Sequence, residues 1–181
     1  MILYCTKAVK DKLKGRTVEY VPSDKCDDSA EGLYSWHADL IKLNRKNTLF
    51  LVNNKTRFAI FIYEIKAADF KDIENTVTDA IRTVLMNYGI REDMIEAYLD
   101  KCREVTFAEK SIRSVIGTMT IMKRYMSYAP DLVYADDKFQ MRLTDWIGDL
   151  MYSANKEYFE PARKFFSCLA DMSSDNNEDK M

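Results

Sequence analysis

The sequence predicts an α+β fold, with an antiparallel sheet centred on residues 34–65, helices packed against it and a helical C-terminal region. Two observations predict this fold. Residues 34–65 hold the densest run of strand-forming residues, and two polar, asparagine-rich links divide that run into three segments. After Ile65 the apolar residues recur at steps of three and four, which is the period of a helix that buries one face.

The three segments are interpreted as a β-meander, because asparagine tolerates the left-handed conformations that short hairpin links require. In the first strand, alternation places Trp36 on one face and His37 and Asp39 on the other, which predicts one wetter face. The other two strands are apolar on both faces and are expected to be covered on both sides. The expected strands are residues 34–43, 48–52 and 57–65.

A long helix is expected directly after the sheet, with Asp69 as its N-cap and Gly89 at its C-terminal end. Its apolar stripe is predicted to bury the main face of the sheet. The sheet residues expected to be buried are Trp36, Leu49, Leu51, Phe58, Ile60 and Ile62. Their expected partners on the helix are Phe70, Ile73, Val77, Ile81 and Leu85.

The rest of the chain alternates between shorter elements of both kinds. Residues 1–5, 17–21 and 104–108 have strand character, and helices are expected at residues 7–14, 90–102, 112–126, 139–151 and 158–169. Gly117 falls within one of these helices, where it costs roughly 1 kcal/mol against alanine, and a close packing contact is predicted to explain it. The chain is divided into an α+β core domain (1–128), a C-terminal helical extension packed on it (129–172) and a disordered tail (173–181).

Composition narrows the function classes. The formal net charge is −2, so no strong overall field recruits nucleic acid or an anionic membrane. The four cysteines are far apart and there is one histidine, which gives no zinc set, and no glycine-rich phosphate loop is present. We therefore expect no cofactor and no metal. Without a leader-like or membrane-spanning segment, a cytoplasmic location is expected.

His37 is the first residue to consider for catalysis, because histidine titrates near neutral pH. Asp39 is two residues away on the same strand face, and Cys26 is a possible nucleophile. Nothing around Cys26 supports that role, so a structural or partner-contacting His37 is favoured and no catalytic residue is assigned. The carboxylates of the acidic loop could bind a divalent cation through their oxygens. Their spacing is not that of an EF-hand loop, which favours a solvated loop. Its acids are Asp24, Asp27, Asp28 and Glu31.

Basic residues flank the two expected hairpin links and form the candidate partner-binding set, together with His37. Such residues can hold phosphates of RNA or DNA, and Tyr34 and Trp36 are near enough in sequence to stack on bases. Lysines also protect exposed sheet edges against aggregation, so this alternative stays open. The basic residues of the set are Lys42, Arg45, Lys46, Lys55 and Arg57.

Several segments resemble a family of small, mostly uncharacterised bacterial, phage and mobile-element proteins. The most specific pieces are Trp36-His37-Ala38 and the segment R-S-V-I-G-T-M at 113–119, and further matches are N-R-K at 44–46 and L-F-L-V-N at 49–53. The resemblance covers residues 1–128, and the later helices look like an addition. Some members of this group look like type II anti-CRISPR proteins, which inhibit an RNA-guided effector nuclease. The resemblance assigns no catalytic residues.

The expected function is a non-enzymatic binding protein, most specifically an anti-CRISPR inhibitor. The resemblance implies that it binds a type II CRISPR effector nuclease loaded with guide RNA, with possible contact to nucleic-acid phosphates and none to a membrane. One alternative is a cytoplasmic interaction or regulatory module without nucleic-acid contact. A second alternative is a small hydrolase or nuclease that uses His37.

Overall fold

The computed structural model describes residues 1–16, 18, 20–21, 32–108, 111–154 and 157–178. The strands are β1 (Ile2–Cys5), β2 (Tyr20–Val21), β3 (Ser35–Leu43), β4 (Lys46–Asn53), β5 (Ala59–Ile62), β6 (Thr106–Ala108), β7 (Tyr152–Ala154) and β8 (Glu157–Phe159). The helices are α1 (Lys7–Leu13), α2 (Ala67–Lys71), α3 (Ile73–Asn87), α4 (Glu92–Asp100), α5 (Arg113–Met126), α6 (Met141–Asp149) and α7 (Pro161–Glu178). The predicted acidic loop, Cys26 and part of the predicted strand at 17–21 lie outside the described residues.

The main sheet joins an antiparallel half to a parallel half. Within the described residues it has six strands in the order β2-β6-β1-β3-β4-β5. β3, β4 and β5 form the predicted antiparallel meander, which confirms the α+β class. β1 lies in the middle of the sheet and pairs in parallel with both β3 and β6. The antiparallel description of the sheet therefore applies to one half of it.

The β3–β4 hairpin turns through Asn44 and Arg45, whose φ angles are 44° and 66°. Positive φ at both central residues defines a type I′ turn, the form that matches the twist of paired strands. Leu43 pairs with Lys46 directly across this turn. The link is thus two residues shorter than the predicted four, and β4 begins earlier than expected.

The main core confirms the burial predicted from the apolar pattern. Every one of the six sheet residues and five helix residues named above is buried in one cluster, and Ile60 and Ile81 are at most 1% exposed. The predicted single helix after the sheet is wrong, however, because α2 and α3 are separated by Asp72 at φ −135° and ψ 55°. Asp69 lies inside α2, where its Oδ2 accepts the Lys66 N–H at 2.7 Å.

The opposite face of the sheet is covered by α5 and α6. Phe50 and Phe61 stack there with ring centroids 4.9 Å apart, under Met119 and Leu143 of the two helices. The predicted wetter face of β3 is therefore wrong, because α5 covers it. His37 is 0% exposed and Asp39 is 7% exposed.

The C-terminal helix completes the main core. Phe165 of α7 stacks on Phe58 at 4.8 Å and meets the Trp36 ring edge-on at 5.8 Å. α7 extends through Glu178, so the described part of the expected tail is assigned to a helix, and the tail at 173–181 stays a prediction. The hairpin of β7 and β8, which precedes α7, was not predicted. Among the described residues, no helix is long and apolar enough to cross a membrane.

Candidate functional site

The predicted basic set does not form one patch. Its two links lie at opposite ends of β4, because one precedes that strand and the other follows it. Eight residues of strand span about 26 Å, so the two groups are separated by that length. The hairpin end carries Lys42, Arg45 and Lys46, and the far end carries Lys55 and Arg57.

The members of the set also differ in how they can meet a partner. Lys46 forms an exposed ion pair with Glu64, with Nζ 2.7 Å from Oε1. Arg57 is only 7% exposed, and its guanidinium donates to the Ser114 Oγ at 3.2 Å, which ties the end of β4 to α5. Lys42, Arg45 and Lys55 are exposed. The inward position of Arg57 makes it a structural contact in this conformation.

His37 is held at the N-terminal end of α5. Its Nε2 lies 3.0 Å from the backbone nitrogen of Ile112, and its Nδ1 lies 2.6 Å from Asn54 Oδ1. A backbone N–H can only donate, so Nε2 is the acceptor and the proton is on Nδ1, which donates to Asn54. The Tyr4 ring stacks on the imidazole at 4.7 Å. Burial is the main cause that lowers the pKa of His37 to about 4, so the ring is neutral at pH 7.

Asp39 does not orient the imidazole, contrary to the sequence-based hypothesis. One carboxylate oxygen accepts from Thr6 Oγ1 at 2.6 Å and from the Leu40 N–H at 2.9 Å, and the other pairs with Lys123. Both nitrogens of His37 are already engaged by other groups. General-base catalysis by His37 would therefore require the Ile112 hydrogen bond to break first.

α5 runs along the sheet from one basic group to the other. Near its start, Ser114 contacts Arg57, and near its end Lys123 pairs with Asp39 at the hairpin side of β3. The helix carries three cations and no acidic residue in its sequence R-S-V-I-G-T-M-T-I-M-K-R-Y-M. Its buried face consists of Val115, Thr118, Met119, Met122 and Met126. Three methionines, Met119, Met122 and Met126, therefore lie in the core.

The opposite face of α5 is open to solvent. Arg113 and Arg124 lie on it about 16 Å apart along the helix axis, with Gly117, Thr120 and Ile121 between them. A Cβ added at Gly117 would meet no atom of the described residues within 4 Å, so the predicted packing contact there is wrong. Ile121 is 41% exposed. No ion pair involves either arginine in the described part of the chain.

We call Lys42, Arg45, Arg113, Lys123 and Arg124 the basic surface. The first two were predicted from the sequence as binding residues, whereas the three that α5 contributes were not. The sequence did contain a signal for these three residues. The helix has three cations and no acid, so its positive charge is not compensated within the helix. The contacts of α5 with Arg57 and with Asp39 carried no comparable signal in the sequence. In the described residues, no group of three or more His, Cys, Asp or Glu side chains can hold a metal ion.

Comparison with known proteins gives a family but no activity. A family model described as Domain of unknown function (DUF6933) matches residues 2–164. The match extends past residue 128, so it includes α6 and the β7–β8 hairpin, which the sequence analysis treated as an addition. Neither a curated protein nor a solved structure matches the chain.

Proposed function

The chain belongs to the DUF6933 family, and we propose that it is a non-enzymatic binding protein that contacts its partner through the exposed face of α5. One observation carries the proposal. The solvent face of α5 holds Arg113 and Arg124 without acidic neighbours on the helix, and between them lies Gly117 with open space around it.

The glycine is the informative residue of this face. Glycine in a helix interior is less favourable than alanine by about 1 kcal/mol, and here no internal contact requires it. A partner surface that approaches the helix backbone closely would supply the missing reason, because only glycine leaves the backbone uncovered. The flanking arginines would then fix the partner through charge-assisted hydrogen bonds.

The proposed partner is a type II CRISPR effector nuclease loaded with guide RNA. The family resemblance motivates this partner, and the basic surface is complementary to the phosphates that such a ribonucleoprotein exposes. A formal net charge of −2 is too small for the chain to mimic DNA as a whole. We therefore favour interference with target binding or with the conformational activation of the nuclease over occupation of the whole nucleic-acid channel.

The test is cleavage of a matched DNA target by purified type II effectors and guide, with and without excess protein. The wild-type chain is expected to reduce cleavage and to form a complex on size exclusion. The double variant Arg113→Glu/Arg124→Glu is expected to lose both effects and to make residual binding less sensitive to salt.

The matched control reverses the same amount of charge elsewhere, in the variant Lys12→Glu/Lys71→Glu, whose lysines are exposed on α1 and α2. It is expected to inhibit like the wild type. Unimpaired cleavage by several effectors, with no complex formed, would reject the nuclease partner and favour the interaction module without nucleic-acid contact. Equal loss in both double variants would reject the α5 face as the contact surface.

A further inference from the structure

The second half of β3 has one edge that no strand of the described residues pairs with. β1 pairs only with Ser35–Ala38, whereas β3 continues to Leu43. Across the two-residue turn, Leu43 and Lys46 form the hydrogen-bonded pair, so the odd-numbered residues of β3 bond to β4. The even-numbered residues direct their backbone groups towards the side of β1, as the bond from the Thr6 N–H to the Ala38 oxygen at 3.0 Å shows.

Beyond Ala38, only some of the backbone N–H and C=O groups along this edge have hydrogen-bond partners among the described residues. The N–H of Leu40 bonds to the Asp39 carboxylate at 2.9 Å, in the place where β1 has ended. Lys42 is the next residue whose N–H and C=O point outward, and no strand of the described residues pairs with that side of it. An exposed edge of this kind can accept an extended chain through backbone hydrogen bonds.

A groove lies beside this edge, between the hairpin and the C-terminal end of α5. Its volume is about 360 Å³. Apolar side chains dominate its lining through Ile41, Leu43, Met126 and Val133, and Lys42 and Lys123 also line it. The groove is therefore suited to an apolar side chain from a segment that lies along β3.

The charge around the groove is positive. Lys42 and Arg45 have no ion pair among the described residues, and Lys123 shares Asp39 with the Thr6 hydroxyl. The one acid in the turn at Pro130–Leu132 is Asp131, which is exposed. An incoming segment with carboxylates next to its apolar side chain would complement this arrangement.

We propose that an extended, acidic segment of a partner protein adds to β3 at Lys42 and inserts an apolar side chain into the groove. The inference rests on the proposed function as a binding protein, and it specifies the chemistry of the protein part of the contact. The alternative that Lys42 merely protects the edge from aggregation predicts no such binding.

The test uses the ¹⁵N-labelled full chain and a synthetic peptide of about ten residues that alternates Glu and Val. The peptide is expected to shift the resonances of Lys42 and Met126 and to slow hydrogen exchange of the Lys42 amide. A peptide that alternates Lys and Val is the control and is expected to leave both readouts unchanged. No nuclease is present, so this result is independent of the effector assay.

Two variants of Lys42 distinguish the contribution of its backbone N–H to peptide binding from that of its side-chain charge. Lys42→Pro removes the outward N–H and leaves the hydrogen bonds between β3 and β4 in place. It is expected to weaken binding of the acidic peptide about tenfold. Lys42→Ala keeps the N–H and is expected to weaken binding of the acidic peptide only by about two- to fivefold. Amide protection at Ile41 and Leu43 checks that the hairpin is intact in both variants.

Three results would overturn the inference: no binding of the acidic peptide, equal binding of the basic one, or no added protection of the Lys42 amide. The last readout uses the wild-type chain, so it decides the matter even if the proline variant does not fold. Failure of the effector assay with a positive peptide result would reject the proposed nuclease and leave the edge site in place.

Discussion

His37 connects three distant parts of the chain through one buried ring. Tyr4 of β1 stacks on it, Asn54 after β4 accepts a hydrogen bond from its Nδ1, and the backbone N–H of the residue before α5 donates to its Nε2. The last two contacts are 17 and 75 residues away in sequence. A neutral ring is required because Nε2 must accept from a backbone N–H. The histidine thus holds the sheet and the N-terminal end of α5 together through its two hydrogen bonds.

This geometry predicts that stability falls as the pH is lowered below 6.5. The unfolded chain binds a proton at His37 near pH 6.5, whereas the folded chain stays neutral down to about pH 4. The contribution is therefore complete above pH 6.5 and is lost between pH 6.5 and 4. Urea unfolding at pH 7.5 and at pH 5 should differ by about 2 kcal/mol on account of this residue.

The variant His37→Gln provides the comparison, because its amide can accept from Ile112 without titrating. It should be less stable than the wild type at pH 7.5 and should lose less stability between pH 7.5 and 5. Equal pH dependence in the two proteins would show that His37 is not the titrating group. Retention of partner binding by a folded variant would support a structural role of His37 over direct contact with the partner.

Single residues show why the site could be predicted only in part. Lys42 and Arg45 follow from local sequence, because a hairpin turn is exposed. The burial of Arg57 could not be predicted, since it depends on Ser114, 57 residues away. Asp39 appeared to be a partner of His37 on spacing, but Lys123 and Thr6 compete for its carboxylate. Periodicity places residues on faces and does not identify what covers a face.

At the scale of elements, α5 combines a mainly apolar buried face with an exposed face that no described residue covers. At Gly117, on that exposed face, the residue that favours helix stability differs from the residue that favours partner binding. Stability would favour alanine at this position, whereas close approach of a partner would favour glycine.

Gly117→Ala should therefore raise the free energy of unfolding by about 0.5–1 kcal/mol, because space for the added methyl group is open. It should at the same time weaken the partner complex. Thr120→Ala on the same face is the control and should alter partner binding less. Denaturant unfolding and size exclusion with the partner measure the two effects, and a variant that is stabilised with full partner binding would contradict the role of the glycine.

α3 and β5 carry the centre of the main core. Ile60→Ala and Ile81→Ala should each cost about 2–5 kcal/mol, because both remove buried methyl groups and leave a cavity. Met86→Ala in α3 is the matched control, since Met86 is 55% exposed and its replacement should cost under about 1 kcal/mol. Urea denaturation measures all three, and a small loss at Ile60 and Ile81 would contradict their assignment to the core.

At the scale of the whole molecule, two cores share one sheet. The face with Trp36 and Phe58 packs on α3, α4 and α7, and the face with Phe50 and Phe61 packs on α5 and α6. The proposed division into a core domain and a C-terminal extension stays a prediction. The ring contacts of Phe165 indicate that removal of α7 would expose the centre of the main core.

Deletion of residues 161–181 should therefore abolish cooperative thermal unfolding. Deletion of residues 173–181 alone keeps Phe165 and Leu169 and should change the melting temperature by less than about 4 °C, which corresponds to about 1 kcal/mol for a chain of this size. Calorimetry of both truncated chains decides the matter. A stable, cooperatively folded chain of residues 1–160 would show that the extension is separable.

Sequence patterns predicted the meander and the main core, because these depend on contacts between neighbouring segments. They indicated strands at 1–5 and 104–108 but not their parallel pairing, since β1 and β6 meet across about 100 intervening residues and neither carries a local signal for its partner. The break at Asp72 was missed for a different reason. The apolar stripe continues in phase through both α2 and α3, so the period alone gave no indication of the end of one helix.

The central position of β1 also determines when the chain can fold during its synthesis. One of the two neighbours of β1, the strand β6, is made roughly 100 residues after β1 itself. At about 5–20 residues per second, that interval is on the order of 5–20 s. Until β6 has been made, the described strands offer no partner for that side of β1, so the nascent chain presents an edge that chaperones can bind. The complete sheet cannot form before β6 has been synthesised.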